Sequence, residues 1–331
     1  MRARLALALA AILGTLPACD STADAFVPLP VVSATLEAGQ PLGPVNLTRL
    51  VPLGATFDPD AAAITGATVE VALLATDGSV EQTVPYEAAD EPGVYIPTDL
   101  TIGTLPGRTY RLRILAPAAS GVGTDTLTAE TTVPVLIDIV EGPPAEIVYG
   151  DGFGPPVRIS TSSTASRRAV YLLGSEALAA DRFEEVEVEG ETRYRQLGLP
   201  DRYGLVPFLV TILGCDVEDS GLLLCDEDPA DATSGRSPLL NEDSYTLLGD
   251  GTAQVPIPFI AFGYYGPARV TFFSLDDAFI DYVETQAIQF APTTISPGEI
   301  PNATTNVRNG LGVFGSFARA SVELVVRQAA P

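Results

Sequence analysis

The sequence predicts a mostly β protein: an N-terminal Ig-like β-sandwich followed by a larger β-rich domain with one or two short helices. Three observations point there. Apolar and polar residues alternate with period two in several short runs. Proline and glycine, 28 and 30 of 331 residues, interrupt the chain often. Long amphipathic runs at helical spacing are few. Period-two alternation buries one face of a strand, and short strands with frequent turns favour sandwiches over βαβ units. At roughly 150 residues per domain, the length suggests about two domains.

The N-terminus sets the compartment. Arg2 and Arg4 precede an apolar run, Leu5 to Leu13. That run is shorter than the roughly 20 residues a spanning helix needs. Residues 1–18 therefore read as a secretory signal. The segment ends Leu16-Pro17-Ala18-Cys19, which resembles the bacterial lipobox. The resemblance implies that Cys19 becomes the lipidated first residue of the mature chain, so that the protein meets the membrane through an N-terminal lipid. Residues 19–27 form a short tether.

The body of the chain begins at Pro28. Val69, Val71 and Leu73 alternate with Thr68, Glu70 and Ala72, and Tyr110, Leu112 and Ile114 alternate with Arg111 and Arg113. Val186 and Val188 alternate with glutamates, and Val322, Leu324 and Val326 with Ser321, Glu323 and Val325. Each run predicts a half-buried antiparallel strand. Asp77-Gly78 suits a tight hairpin turn. Two helices are expected. Ser175–Phe183 would be short, with Ser175 as its cap. In Asp276–Phe290, Asp276 or Asp277 would cap, and Phe279, Tyr282, Val283, Gln286 and Phe290 recur near helical spacing. Thr132-Val133-Pro134 is the expected boundary, giving a sandwich over 28–134 and a β-rich domain over 135–331.

Two of the three cysteines, Cys215 and Cys225, enclose a small loop. In an exported chain such neighbours form a disulfide. With Cys19 lipidated, no free thiol remains. All 18 basic residues are arginine, and histidine and tryptophan are absent. Missing histidine excludes Ser–His–Asp and Cys–His nucleophilic sites and histidine-ligated metals. Missing lysine excludes a P-loop and Schiff-base chemistry. Without the signal, 16 arginines face 42 carboxylates, a charge of −26 that repels nucleic acid and anionic headgroups.

A family resemblance rests on the order of several segments. Gly66-Ala67-Thr68-Val69-Glu70-Val71 is followed by Pro106-Gly107-Arg108-Thr109-Tyr110-Arg111-Leu112. Near the C-terminus stands Asn309-Gly310-Leu311-Gly312-Val313-Phe314-Gly315, after the helix. With the lipobox, this order resembles the bacterial envelope lipoproteins of domain-of-unknown-function family 4249, over roughly residues 26–326. The resemblance implies an Ig-like N-terminal domain, a distinct β-rich C-terminal domain and association with TonB-dependent outer-membrane transport. It transfers no catalytic residue and no cofactor.

Two segments invite a functional reading. The densest acidic stretch holds Asp216, Asp219, Asp226 and Asp228, beside the expected disulfide. These four are the candidate calcium ligands, since calcium takes six to eight oxygens. Their spacing fits no EF-hand, and a solvated acidic loop beside the disulfide is the favoured reading. Tyr264, Tyr265, Phe272 and Phe273 form an aromatic group whose alternation favours core packing, with Phe272 inside and Phe273 facing away. The expected function is non-enzymatic: a lipid-anchored accessory protein of the outer membrane or cell surface, with an outer-membrane protein as partner. The alternatives are a carboxylate-dependent polysaccharide hydrolase and a calcium-stabilised adhesive or structural module.

Overall fold

The computed structural model describes residues 26–52, 54–118, 123–150, 152–161, 169–180, 182–198, 203–290 and 304–329. The signal, Cys19 and the tether as far as residue 25 lie outside the described residues. The chain is mostly β, with large sheets and three short helices among the described residues.

The first strands follow the alternation. They are β1 (Pro30–Glu37), β2 (Val45–Arg49), β3 (Thr68–Leu74), β4 (Val80–Ala88), β5 (Val94–Pro97), β6 (Thr109–Pro117) and β7 (Thr124–Thr132), with helix α1 (Pro59–Ala62) between β2 and β3. They lie side by side in the order β1-β2-β5-β4-β3-β6-β7. Every pair is antiparallel. Val69, Val71, Leu112 and Ile114 are buried as the period-two reading requires. The outward arginines of β6 pair across the sheet, Arg111 with Glu130 at 2.7 Å and Arg113 with Glu70 at 3.0 Å. Asp77-Gly78 turns β3 into β4. Gly78 takes a φ of 80°, and Asp77 Oδ1 accepts from Ser79 N. The Ser79 hydrogen bonds also hold the Asp77 carboxyl below its ordinary pKa.

The rest of the chain supplies β8 (Ile139–Glu141), β9 (Glu146–Val148), β10 (Val157–Ser160), β11 (Tyr171–Ala177), β12 (Arg182–Val188) and β13 (Glu191–Leu197). Helix α2 (Pro207–Ile212) follows, then β14 (Asp216–Val217), β15 (Leu223–Cys225), β16 (Ser234–Arg236), β17 (Thr246–Leu247), β18 (Thr252–Val255), β19 (Gly266–Leu275), α3 (Asp277–Phe290) and β20 (Leu311–Arg327). Two small sheets have the orders β17-β18-β10-β8 and β12-β13-β15-β14.

Strand β20 joins the two halves of the chain. Its first residues run parallel to β1, from Val31↔Leu311 to Glu37↔Phe317. Its remainder pairs antiparallel with β19, from Leu275↔Phe317 to Gly266↔Val326. β9 lies parallel to its last residues. The sheet therefore continues as β16-β11-β19-β20-β1 into the N-terminal strands. One apolar core follows it, from Val32, Leu47 and Ile114 through Phe314 to Phe272, Leu173 and Ile257.

The helix expected over Ser175–Phe183 is not formed. Ser175 lies inside β11, paired with Val270 of β19 and Gly235 of β16, and Phe183 lies in β12. Pairing on both sides of β11 outweighs a local helical preference. The Ser175 hydroxyl donates to the Ala261 carbonyl instead of capping.

The second helix is present, capped by Asp276. Its Oδ1 accepts from Phe279 N and from Ser316 N, both at 3.0 Å. Thr131 Oγ1 donates to Oδ2 at 2.6 Å. One buried carboxylate thereby ties β7, β20 and the start of α3 together.

Candidate functional site

The acidic stretch is built around an arginine. The Cys215–Cys225 disulfide is formed, closing the β14–β15 hairpin. Arg193, from β13, donates through Nη2 to Asp216 at 3.0 Å, while its Nε makes an ion contact with Asp226 at 2.8 Å. The protein thus places its own cation between these two carboxylates. Asp228 lies elsewhere: its Oδ1 accepts from Ala230 N, capping the 3-10 turn Pro229–Thr233. Asp219 sits in the turn closed by the Glu218–Gly221 and Glu218–Leu222 backbone bonds. Among the described residues, no three His, Cys, Asp or Glu side chains converge as a metal site.

Closing a loop of this size stabilises by about 2–3 kcal/mol. Replacing Cys215 and Cys225 together by alanine should lower the unfolding free energy by about that amount, read from urea denaturation. An unchanged midpoint would count against a stabilising role for the bond.

The aromatic group mostly fills the core. Tyr264, Tyr265 and Phe272 are buried. Phe273 faces the opposite side of β19 and packs edge-on against Phe317, with centroids 5.7 Å apart.

A different set of aromatics forms a cleft at the far end of β20. Tyr149 follows β9 and is fixed there by its N–H to the Arg327 carbonyl. The chain then turns back along 256–259: Gly154 N donates to Ile257 O, and Phe259 N donates to Gly152 O. Gly154 lets the two segments approach closely, since a Cβ there would stand 3.0 Å from the Phe259 ring and press on it. Tyr149 packs on Phe259 at 5.1 Å and edge-on to Tyr265 at 5.8 Å. A 3-10 turn at Phe259–Ala261 sends Phe259, Ala261 and Phe262 inward and leaves Ile260 outside.

The result is a cavity of about 540 Å³ with Phe259, Phe262 and Leu240 as its buried floor. Its rim is Phe153, Phe208 from α2 and Ile260, which are 60%, 57% and 64% exposed. No lining residue among those described is a carboxylate or an arginine. Of the whole chain, 18% is charged, whereas none of the described lining residues carries a charge at neutral pH. Ser244 and the backbone at Gly150 and Gly152 provide its few polar groups. Among its described residues the site offers a shape, an apolar surface and the hydroxyls of Tyr149 and Ser244.

Sequence reading does not find this cleft, because its rim comes from three segments far apart in the chain: a loop, the start of α2 and a 3-10 turn. One local signal exists. Pro256 to Tyr265 is uncharged and apolar, yet two prolines make it too broken for a strand or helix. Such a run must bend, and bending puts some apolar residues outside.

A family model described as "Domain of unknown function (DUF4249)" matches residues 20–323. No curated protein matches the chain. Among solved structures, domains 1–6 of the surface layer protein SbsC align at 12% identity and a TM-score of 0.19. That alignment covers 92% of this chain and 41% of the other.

Proposed function

The chain belongs to the family described as Domain of unknown function (DUF4249), and from that premise we propose a non-enzymatic, lipid-anchored accessory protein of the outer membrane. It works by contact through the uncharged aromatic cleft. The observation that carries this reading is the rim of Phe153, Phe208 and Ile260, exposed on a strongly acidic chain. Large apolar side chains grouped at a surface mark an interaction site. Apolar and aromatic side chains without charge among the described lining residues match the composition of an interface centre.

The occupant is an apolar segment from the extramembrane part of an integral outer-membrane protein. A TonB-dependent transporter is the partner that family resemblance favours. The cleft's place supports that choice. The N-terminal strand enters beside Leu311, whereas Tyr149 is held at Arg327. At about 3.3 Å per residue, β20 spans up to about 50 Å between these points. In a protein anchored by its N-terminus with β20 upright, the Tyr149 end of the cleft would face away from the bilayer, toward the exposed part of a neighbouring barrel.

Affinity capture from detergent-solubilised membranes tests this. The native protein should retain an outer-membrane partner. The Phe153→Ser, Phe208→Ser double variant should bind it at least about tenfold more weakly, since two aromatic anchors are lost. Its melting temperature should not fall, because both rings are exposed. Equal recovery by the variant, or recovery of the lipoprotein alone, would contradict the reading.

A further inference from the structure

A second apolar surface lies at the opposite end of the molecule, where the chain enters the fold. Pro30 and Arg49 are the last paired residues of β1 and β2 at this edge. Just beyond them, Leu50 N donates to Leu29 O at 2.8 Å, so Leu29 and Leu50 leave the ladder together. Phe26 and Val27 precede them. Phe57 ends the loop that leaves β2, and the chain is brought back to β2 by the Thr48↔Ala63 bridge and by Ile64 N to Leu47 O. All five side chains are exposed, Val27 and Phe57 by 62% and 57%.

The charge pattern singles out the same place. Residues 26–30 and 50–57 contain no ionisable side chain, in a chain with 42 acids. Two uncharged apolar runs, far apart in sequence, are thus held against each other by the β1–β2 ladder.

The tether length says what covers this surface. Phe26 is seven residues beyond Cys19. Even fully extended, seven residues reach only about 25 Å. A lipid on Cys19 therefore keeps this edge within about 25 Å of the bilayer. We propose that Phe26, Val27, Leu29, Leu50 and Phe57 form a collar that seats in the interface of the bilayer. The inference rests on the lipid anchoring proposed above. Seating fixes the protein upright, with β20 rising from the membrane and the aromatic cleft at its far end. The lipid surface must be zwitterionic, because the net charge of the chain repels anionic headgroups.

The absence of tryptophan makes the test direct. Phe57→Trp and Phe153→Trp each create a single tryptophan, one in the collar and one in the cleft, excited at a wavelength that the 11 tyrosines do not absorb. The full lipidated protein is placed in phosphatidylethanolamine–phosphatidylcholine vesicles carrying brominated acyl chains, and intact mass establishes the lipid. Phe57→Trp should shift to the blue and lose about half its emission, because a collar residue sits about 5–10 Å into the interface. Phe153→Trp should be unaffected. A lipidated protein whose Phe57→Trp emission is not quenched overturns the collar and leaves the anchor intact. A blue shift without quenching also overturns it, because another protein surface then covers Phe57. A chain of unlipidated mass overturns the anchoring reading, and the collar with it.

Discussion

Gly312→Ala is expected to destabilise the protein by about 3 kcal/mol or more, among the largest effects a single methyl group can have here. Gly312 sits in β20 opposite Val32 of β1, with φ of 99°. A Cβ added there would lie 1.9 Å from the Val32 carbonyl oxygen and 2.8 Å from its carbon. Both obstacles are backbone, so no rotamer change relieves them. The β1–β20 pairing must open locally, and that pairing joins the first strand to the last. Chemical denaturation should show the loss, and hydrogen exchange should show lost protection at Val32 and Ala34. Gly249→Ala is the control. It has open space around it and no positive φ, so its effect should stay within about 0.5 kcal/mol. Equal effects at the two glycines would contradict the close approach of β1 and β20.

The second large effect is at Asp276. At pH 4, where the folded protein holds Asp276 protonated, Asp276→Ala removes the cap of α3 and leaves the buried Ser316 N–H unpaired, which together cost about 2–4 kcal/mol. Asp276→Asn behaves differently. Its oxygen still accepts from Phe279 and Ser316, and its amide can donate to Thr131. Thr131 then donates to Ser316 Oγ, which lies 2.6 Å away. Burial pushes the Asp276 carboxyl up from 3.8 to about 6, against the lowering effect of the Thr131, Ser316 and Phe279 hydrogen bonds. A carboxyl whose pKa is raised on folding binds its proton more tightly in the folded state. Its contribution to stability is therefore complete below pH 3.8 and lost as pH rises through about 6. The shift corresponds to about 3 kcal/mol. Relative to the native chain, Asp276→Asn should gain stability between pH 4 and pH 7 by up to about that amount. Denaturation of both proteins across this range checks it. A constant difference between them would show that Asp276 does not titrate there.

Sequence legibility followed the range of the interactions. Val69, Val71 and Leu73, like Tyr110, Leu112 and Ile114, were legible because one buried face imposes a local period. Asp276 was legible as a cap, since capping involves only the next few residues. Its bonds to Thr131 and Ser316 were not, because they depend on β7 and β20 meeting in space. Ser175–Phe183 was misread for the same reason: β16 and β19, both distant in sequence, decide its conformation. The parallel pairing of β1 with β20 leaves no pattern in either segment beyond Gly312 and Gly315, whose glycines permit close approach to Val32 and to Phe279. The acidic residues were legible as a cluster in sequence. The arginine that divides them, Arg193, arrives from another strand. The cleft depended on Phe153, Phe208 and Ile260, each exposed alone and significant only together.

Contact through this cleft is the centre of the account, and photo-crosslinking in living cells tests it most directly. A photoreactive side chain would replace Phe208 or Ile260 in turn, with Glu187 on the exposed β12 strand as the reference position. The account predicts adducts to one outer-membrane protein from both cleft positions and none from Glu187. No adduct from the cleft, or the same adducts from all three positions, would contradict it.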